Sequence, residues 1–284
     1  MASTLRKSLA LLKAPANSIG FQVRSRALGR KCRIALVNES KTVLFFAHKG
    51  AVRSRAQRRE AELRKRYDLA RLHAQSSLLH YAENLALLDR LEALFVEVAS
   101  LPGSTVRAMD IGSGAFQYAT ALERFLGRHG KSAPRTVELL GIEIDGNGEY
   151  IDGHTRAQHA TAHANLAGRG AHYVVADALF VEMPPQDVVT MFYPFLTRYP
   201  LLQWGLPLGK FQPRRLLRRA VEALRPGGLL VVANQTGTEF ERLRSLLAEL
   251  PVQFVRQCSF ASKLLPYAEK TVDRIGSVWM RSSK

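Results

Sequence analysis

The sequence predicts an α/β fold: a doubly wound sheet of seven mostly parallel strands with helices on both faces, preceded by a basic, largely helical N-terminal extension. From residue 105 onward, short apolar runs alternate with amphipathic segments, which is the rhythm of βα units. The last two apolar runs lack a full crossover helix between them, so the sheet is expected to be mostly rather than wholly parallel. Positive charge is concentrated before residue 76, which sets that part of the chain apart.

The apolar runs place the strands, because parallel strands covered on both faces read as nearly continuous hydrophobic stretches. The predicted strands are 105–110, 137–143, 172–176, 187–193, 228–233, 252–260 and 276–282. Apolar residues at helical spacing predict helices at about 115–129, 152–167, 211–224 and 238–249. A further apolar helix is predicted over 77–99, where it should dock on the core before the first strand.

Composition divides the chain into a basic extension, residues 1–76, and an α/β domain, residues 77–284. Within the extension, residues 32–48 are compatible with a hairpin, since two short apolar runs flank Asn38-Glu39-Ser40. Residues 52–75 predict a strongly basic helix, in which Glu60 and Arg64 form a favourable i,i+4 pair.

The charge of the extension points to an anionic partner. Residues 1–75 hold 18 Lys and Arg against 4 Asp and Glu, whereas the rest of the chain is nearly balanced. Such a block is typical of a surface that attaches to a polyanion, most simply RNA. The alternative is a targeting peptide followed by a solvated helix face. We expect a cytoplasmic protein, or one of the mitochondrial matrix if residues 1–30 are a transit peptide.

Two further classes of protein are not indicated. No apolar run reaches the roughly 20 residues that a bilayer span requires, so neither a membrane helix nor a membrane partner is expected. Cys32 and Cys258 are far apart and lack the spacing of a zinc site or a disulfide framework. The sequence says nothing about oligomeric state.

Histidines near residue 159 are the one pattern that suggests a metal. His159 and His163 are one helical turn apart, with Asp152 and His154 just before them, on what is predicted to be the second crossover helix. The HExxH motif is absent and no third ligand is evident. No metal site is predicted.

A glycine turn follows the first strand in the stretch "AMDIGSGAFQYA", residues 108–119. No Gly-Lys-Ser/Thr follows it, so it is not a P-loop. Gln117 occupies the third glycine position of a dinucleotide fingerprint, and the carboxylate of Asp110 would repel a diphosphate. This arrangement favours a ligand that is neutral or cationic at that end. S-adenosylmethionine, with its sulfonium and ammonium groups, meets the condition.

Residues 105 to 282 resemble a class I S-adenosylmethionine-dependent methyltransferase. Four segments carry the resemblance in the family's order: "VRAMDIGSG", "VELLGIEID", "YVVADAL" and "LRPGGLLVVAN". The resemblance implies S-adenosylmethionine as cofactor, with the glycine loop beneath its methionine and ribose, an acid on the ribose hydroxyls and residues after strand three at the adenine. The residues implied are Asp110, Gly112, Ser113, Gly114, Glu143 (in preference to Asp145), Asp177 and Ala178.

The acceptor side is expected after strand four, at Phe192-Tyr193-Pro194-Phe195. Families that methylate base amines carry Asn-Pro-Pro-aromatic there, and the missing Asn counts against that chemistry. Tyr193 is the candidate for a residue lining the transfer site, with no proton role assigned. Phe192, Phe195 and Arg198 are candidates to stack on a planar acceptor; the alternative is a hydrophobic lid.

A further candidate precedes the first strand. Tyr81 lies on the predicted helix 77–99, beside His80 and Asn84 on the same face, and either contacts cofactor or substrate or anchors the core.

Three functions are compatible with these observations. The first is methylation of ribosomal or transfer RNA, with the basic extension gripping phosphate. The second is methylation of a small molecule in a closed apolar pocket. The third is a non-catalytic assembly factor that keeps the fold.

Overall fold

The computed structural model describes residues 10–26, 34–99, 101, 103–130, 134–265 and 273–283. The strands are β1 Thr105–Ile111, β2 Thr136–Glu143, β3 Ala171–Val175, β4 Gln186–Phe192, β5 Leu224–Asn234, β6 Val252–Ser259 and β7 Ile275–Arg281. The helices are α1 Ala14–Arg26, α2 Gly50–Arg66, α3 Ala70–Ala74, α4 Leu78–Leu94, α5 Ala119–Arg128, α6 Arg156–Ala167, α7 Arg198–Gln203, α8 Pro213–Ala223 and α9 Gly237–Leu247, with a 3-10 turn at Leu208–Lys210.

All seven strands form one sheet in the order β3-β2-β1-β4-β5-β7-β6. The first five run parallel, and β7 is antiparallel to both β5 and β6. The predicted fold class is confirmed. The strand order reverses between β1 and β4, and ligands of such sheets bind outside the carboxyl ends of the strands at that point.

Three predicted boundaries differ from the structure for local reasons. The helix predicted from residue 115 begins at Ala119, because residues 112–118 form the glycine loop. The helix predicted from residue 152 begins at Arg156, after Thr155 closes a capping box with Gln158. The strand predicted over 228–233 begins at Leu224, and Gly227, with a φ of +77°, lies where its pairing with β4 is irregular.

The hairpin predicted over 32–48 is wrong for the part that the structure describes. Residues 34–48 contain no strand; turns occupy 42–47, and Phe45 is buried in the main core. The second apolar run therefore serves as a core anchor, not as a strand.

The single basic helix predicted over 52–75 is two helices, α2 and α3. Asp68 adopts a left-handed backbone, with a φ of +50°, and ends the helical path. Tyr67 and Leu69 on either side of it are buried, so burial of these two side chains accompanies the break.

The basic helix α2 is built into the fold. Ala56 and Leu63 belong to the same apolar core as α4 and one face of the sheet. Arg59 pairs with Asp89 and Glu92 of α4. The division drawn at residue 76 therefore does not coincide with a break in packing. Within the described residues, no helix combines the length and the apolar content needed to cross a bilayer.

Candidate active site

A cavity of about 1230 Å³ lies at the carboxyl ends of the central strands. Its floor is the glycine loop, and its walls come from α4, the segment 191–213, the start of α9 and residues 260 and 265. Nine of the residues predicted for the site line it: Gly112, Ser113, Gly114, Glu143, Asp177, Ala178, Phe192, Tyr193 and Phe195. Asp110, Tyr81 and Arg198 do not.

The glycine loop presents backbone to the cavity. Gly112 and Gly114 have φ angles of +78° and +56°, the left-handed region that glycine tolerates best. A Cβ on either residue would meet no atom within 4 Å, so each glycine opens directly onto the empty space. Ser113 between them is buried, and its hydroxyl has no hydrogen-bond partner in the described structure. A ligand atom in the cavity would supply that partner.

Asp110 lies behind the loop, not in contact with the cavity. It is fully buried and accepts hydrogen bonds from the Tyr118 hydroxyl at 2.7 Å and the Thr190 hydroxyl at 2.5 Å. Burial raises the pKa of Asp110 to about 6 although both hydrogen bonds oppose the rise, and the charge of Glu143 adds to it. Asp110 is linked to the cavity by its hydrogen bond to Tyr118, which lines the cavity and was not among the predicted site residues.

Glu143 is the acid at the end of β2 that faces the cavity. Its two oxygens accept hydrogen bonds from the backbone N–H groups of Gly114, at 3.0 Å, and Asp145, at 2.9 Å. Burial raises the pKa of the Glu143 carboxyl above its ordinary value, against those hydrogen bonds. Each carboxylate oxygen keeps a free lone pair, so the group can accept two more hydrogen bonds from a diol.

Asp145, the competing acid of the same motif, has a different role. It is buried and pairs with two guanidinium groups: Arg156 Nη1 lies 2.5 Å from Oδ2, and Arg24 Nε lies 3.1 Å from Oδ1. Arg24 belongs to α1, a helix within the segment considered as a transit peptide. The N-terminal helix α1 is thus held by an ion pair to Asp145, two residues after Glu143.

Asp177 follows β3 and also lines the cavity. Its Oδ1 accepts from the backbone N–H of Leu179 at 3.0 Å, and its Oδ2 accepts from Lys210 Nζ at 2.8 Å. Lys210 also lies 5.8 Å from the ring centre of Phe21 on α1. In this structure an internal ammonium group satisfies the acid expected at adenine.

Three polar side chains hold the glycine loop from below. His80 and Asn84 of α4 both donate to the carbonyl of Gln117, at 2.6 and 2.8 Å. His163 of α6 donates from Nδ1 to the carbonyl of Ala115 at 2.8 Å. Burial lowers the pKa of His80 to about 4 and that of His163 to about 3, so both rings are neutral donors at pH 7. Because His80 and Asn84 share a helical face, the sequence suggested that they contact the cofactor or the substrate. In the structure they contact the glycine loop instead.

The cavity wall that follows β4, where the acceptor side is expected, is aromatic. Tyr193 has a φ of +61°, a strained conformation for a bulky residue, and such strain concentrates at functional sites. Its backbone N–H is bound to the carbonyl of Ala233 at 2.8 Å. Phe192 packs between Phe260 and Tyr118, with ring centres 5.8 and 5.3 Å away.

Two predicted substrate contacts are corrected. Tyr81 is fully buried, and its hydroxyl donates to Glu60 of α2 at 2.6 Å. This places it on the face of α4 away from the cavity, as a core anchor. Arg198 is exposed and lies 6.0 Å from the ring centre of Phe211, outside the cavity wall.

Two acids that line the cavity were not among the predicted site residues. Glu83 of α4 and Glu239 of α9 line the cavity, and burial raises the pKa of each carboxyl. Glu239 also accepts from the backbone N–H of Gln235 at 3.0 Å. In the sequence, these two acids differ from ordinary surface acids only in their position on a helix face. That signal is too weak to identify them.

The histidine cluster is arranged differently from the expectation. Asp152 and His154 lie in the loop before α6, and His163 turns inward to the glycine loop. His159 Nε2 lies 2.9 Å from Asp152 Oδ2, and the side chain of Asp152 is about half exposed at 49%. His154 Nδ1 lies 3.6 Å from the same oxygen, so Asp152, His154 and His159 form one polar cluster.

No known protein-family model matches the chain, and no curated protein matches its sequence. Similar solved structures include a methyltransferase dependent on S-adenosylmethionine from Aquifex aeolicus (13% identity, TM-score 0.48, 82% of this chain and 100% of that one). Another is TrmN from Thermus thermophilus (16% identity, TM-score 0.43, 70% of this chain and 48% of that one). A third is the N-methyltransferase NodS from Bradyrhizobium japonicum (15% identity, TM-score 0.41, 65% of this chain and 90% of that one). Likenesses this distant carry no statement about activity, which has to come from this chain's own residues.

The chain has a seven-stranded, mostly parallel sheet with a glycine turn after β1. This is the fold that its resemblance to class I S-adenosylmethionine-dependent methyltransferases implies.

Proposed function

We propose that this protein is an S-adenosylmethionine-dependent methyltransferase whose acceptor is a small, largely apolar molecule bound in the cavity. The size of the cavity carries the proposal. Single-ligand pockets occupy roughly 300–1,000 Å³, and about 1230 Å³ leaves room for an acceptor beside the cofactor.

The residues at one end of the cavity fit the cofactor. Gly112 and Gly114 leave open space where a side chain would project, and the buried Ser113 hydroxyl lacks a partner. Glu143 has free lone pairs for the two ribose hydroxyls. Asp177 can accept from the adenine amino group. The carboxylates of Glu143 and Asp110 make this end negative, which suits a sulfonium and repels a diphosphate.

The bound cofactor supplies a methyl group on a cationic sulfur that is already activated. The protein then needs chiefly to align the acceptor and to exclude water. Phe192, Tyr193 and Phe195 form the apolar wall after β4, and α4 forms the facing wall. Glu83 and Glu239 are the carboxylates placed to hold a proton released by the acceptor.

The position of α4 favours a small acceptor over RNA held by the basic helix. The cavity-lining residues Ala82, Glu83 and Ala86 lie on one side of α4. Tyr81 and Glu92, which contact α2, lie more than about 100° around the helix from the centre of that group. A ligand gripped by α2 would have to pass around α4 to reach the cavity.

RNA is the second candidate, favoured by a specific observation. Arg55, Arg58 and Lys65 of α2 are exposed and form no ion pair among the described residues. Such free cations on one helix are typical of phosphate-binding surfaces.

The cofactor half of the proposal is tested by titration calorimetry with S-adenosylmethionine and its demethylated product. Glu143→Gln should weaken binding by at least about tenfold, since a charged acceptor of two hydrogen bonds is lost. The matched control is Glu138→Gln, an exposed acid on the same strand, which should bind like the wild type. A wild-type chain that ignores both ligands and retains a nicotinamide dinucleotide would overturn the assignment.

The acceptor half is tested by RNA binding as a function of salt. Loss of phosphate contacts reduces the slope of log affinity against log salt by about one per contact. On the small-molecule proposal, the wild type shows no steep slope, and Arg55→Gln with Arg58→Gln leaves methyl transfer to a small acceptor unchanged. A steep slope that this double variant flattens would make RNA the acceptor.

A further inference from the structure

Three side chains that can bind a metal ion meet on the surface beside α6. Their ligand atoms are Asp152 Oδ2, His154 Nδ1 and His159 Nε2, and all three atoms lie within 4.8 Å of one another. Asp152 Oδ2 is 2.9 Å from His159 Nε2 and 3.6 Å from His154 Nδ1. Ligand atoms of a tetrahedral zinc ion, with bonds of about 2.0–2.1 Å, lie roughly 3.3 Å apart. The two observed distances bracket that value.

The local fold of the chain produces this arrangement. Gly153 has a φ of +77°, and its backbone N–H donates to the carbonyl of Tyr150 at 2.9 Å, so the chain turns sharply between Asp152 and His154. Asp152 Oδ1 accepts from the backbone N–H of His154 at 3.1 Å, which leaves Oδ2 to face the two rings. His159 lies near the start of α6, which a capping box holds in place.

His154 brings an unused ligand atom to the cluster. Its Nδ1 is buried and has no hydrogen-bond partner in the described structure, since 3.6 Å from Asp152 is too long for a hydrogen bond. A buried polar atom without a partner costs free energy. A cation bound between His154 and Asp152 would provide that partner.

We propose that Asp152, His154 and His159 bind a divalent transition-metal ion with the ligand preferences of zinc. Two imidazoles and one carboxylate suit zinc, whereas magnesium and calcium prefer a shell of oxygen atoms. The side chain of Asp152 is about half exposed, so water can reach the fourth position of the ion. Zinc takes the place of the hydrogen bond between Asp152 and His159, and the proton of the neutral His159 ring then lies on Nδ1.

Two neighbouring side chains are directed elsewhere. His163, which the sequence placed one turn from His159, turns inward and donates to the glycine loop, so it is not a ligand. Arg156 is the cation closest to the cluster along the chain. It pairs with Asp145, 2.5 Å away, and not with Asp152.

The ion would join the turn before α6 to the helix itself. Tyr150, at the start of that turn, lines the cavity, and its ring centre lies 5.2 Å from that of His159. The role of the metal on this proposal is structural, because it fastens a segment that forms part of the cavity wall. The proposal does not depend on the function proposed above.

The test is titration calorimetry of the full chain, freed of metal by EDTA and dialysis, with zinc chloride. The wild type should bind zinc, and magnesium chloride should give no binding. His154→Gln and His159→Gln should each weaken zinc binding by at least about tenfold, because loss of a group that merely supports a ligand already costs 10–100-fold. The matched control is His172→Gln, which removes an exposed histidine of β3 and should bind zinc like the wild type.

Asp152→Asn is a third ligand variant that preserves the turn. The amide oxygen can still accept from the backbone N–H of His154, so the variant should fold normally, as circular dichroism checks, and still lose zinc affinity. Thermal unfolding gives a second readout. Zinc at a hundredfold excess over its Kd should raise the Tm of the wild type by roughly 5 °C and leave that of the three ligand variants nearly unchanged.

Three results overturn the proposal. A wild type that does not bind zinc would reduce the cluster to an ordinary ion pair. Zinc affinity that is unchanged in all three ligand variants would place the metal elsewhere, and equal binding of magnesium would contradict the ligand chemistry. None of these measurements uses S-adenosylmethionine, so failure of the metal site and failure of the proposed function are distinguished.

Discussion

Position 141 in β2 requires a glycine because the ring of Phe116 leaves no room for a Cβ there. Its backbone angles do not require one. A Cβ at this position would lie 2.9 to 3.1 Å from three ring atoms of Phe116, and the shortest of these distances is one that real Cβ atoms essentially never show. Phe116 is fully buried and has a φ of +52°, so its ring has little room to withdraw. The glycine of the motif "LGIE" therefore lets the glycine loop pack on β2, which positions Gly112 and Gly114 over the cavity.

Gly141→Ala should consequently destabilise the fold by about 1–3 kcal/mol, the usual cost of overpacking a core. Urea unfolding monitored by circular dichroism measures the change. Gly209→Ala is the matched control, because a Cβ at Gly209 meets nothing within 4 Å and its φ is not positive. Equal stability of the two variants would contradict the role given to Phe116.

At the scale of single elements, α1 is the one whose role differs most from its sequence signature. Its composition suits a transit peptide or a nucleic-acid arm, yet Arg24 reaches the buried carboxylate of Asp145 and the carbonyl of Gly205. Asp145 in turn donates its backbone N–H to Glu143. The helix therefore takes part in positioning the acid proposed for the ribose.

Arg24→Ala should weaken S-adenosylmethionine binding several-fold, since a buried carboxylate loses one of its two cationic partners. Arg26→Ala removes a solvent-exposed arginine from the same helix and should bind the cofactor normally. Calorimetry on the full chain compares the two. Arg24→Lys should restore part of the affinity, and identical affinities for all variants would remove α1 from the site.

On the scale of the whole molecule, the buried imidazoles of His80 and His163 link stability to pH. The folded-state pKa of His163 is lowered to about 3 from an ordinary value of 6.5, mainly by burial. Below pH 6.5 the unfolded chain binds a proton that the folded chain refuses. The stabilisation is therefore complete above pH 6.5 and is lost as pH falls towards 3.

His163→Asn should flatten this acid dependence, because Asn can still donate to the carbonyl of Ala115 but does not titrate. The linkage of one such group amounts to about 2 kcal/mol by pH 5. Unfolding free energies at pH 7 and pH 5 measure the difference for each protein. Asp110, whose raised pKa acts in the opposite direction, is common to both and cancels. Parallel pH profiles would show that His163 titrates normally.

The sequence was sufficient for features that depend on local pattern. Strand periodicity gave the sheet, and the glycine turn with its acids gave Gly112, Gly114, Glu143 and Asp177, all of which line the cavity. These features could be predicted because a few neighbouring residues determine the backbone geometry of the turn and the ends of the strands.

Features that depend on distant contacts were not predictable. Tyr118, Glu83 and Glu239 reach the cavity only because separate elements converge there. The two alternatives for Tyr81 could not be separated from sequence, because its helix has two buried sides and a periodicity of 3.6 does not say which of them faces the ligand. The break at Asp68 follows from the burial of Tyr67 and Leu69, which local propensity does not reveal.

The contact between Lys210 and Asp177 has a consequence for loading the cofactor. On the proposed binding mode, adenine arrives at a carboxylate that already holds an ammonium group at 2.8 Å. Binding is then an exchange of partners, and the displaced charge stays close to Phe21 on the N-terminal helix. With Lys210 replaced by an uncharged residue, the amino group of adenine would meet a carboxylate that has lost its ammonium partner, and binding would no longer require the exchange.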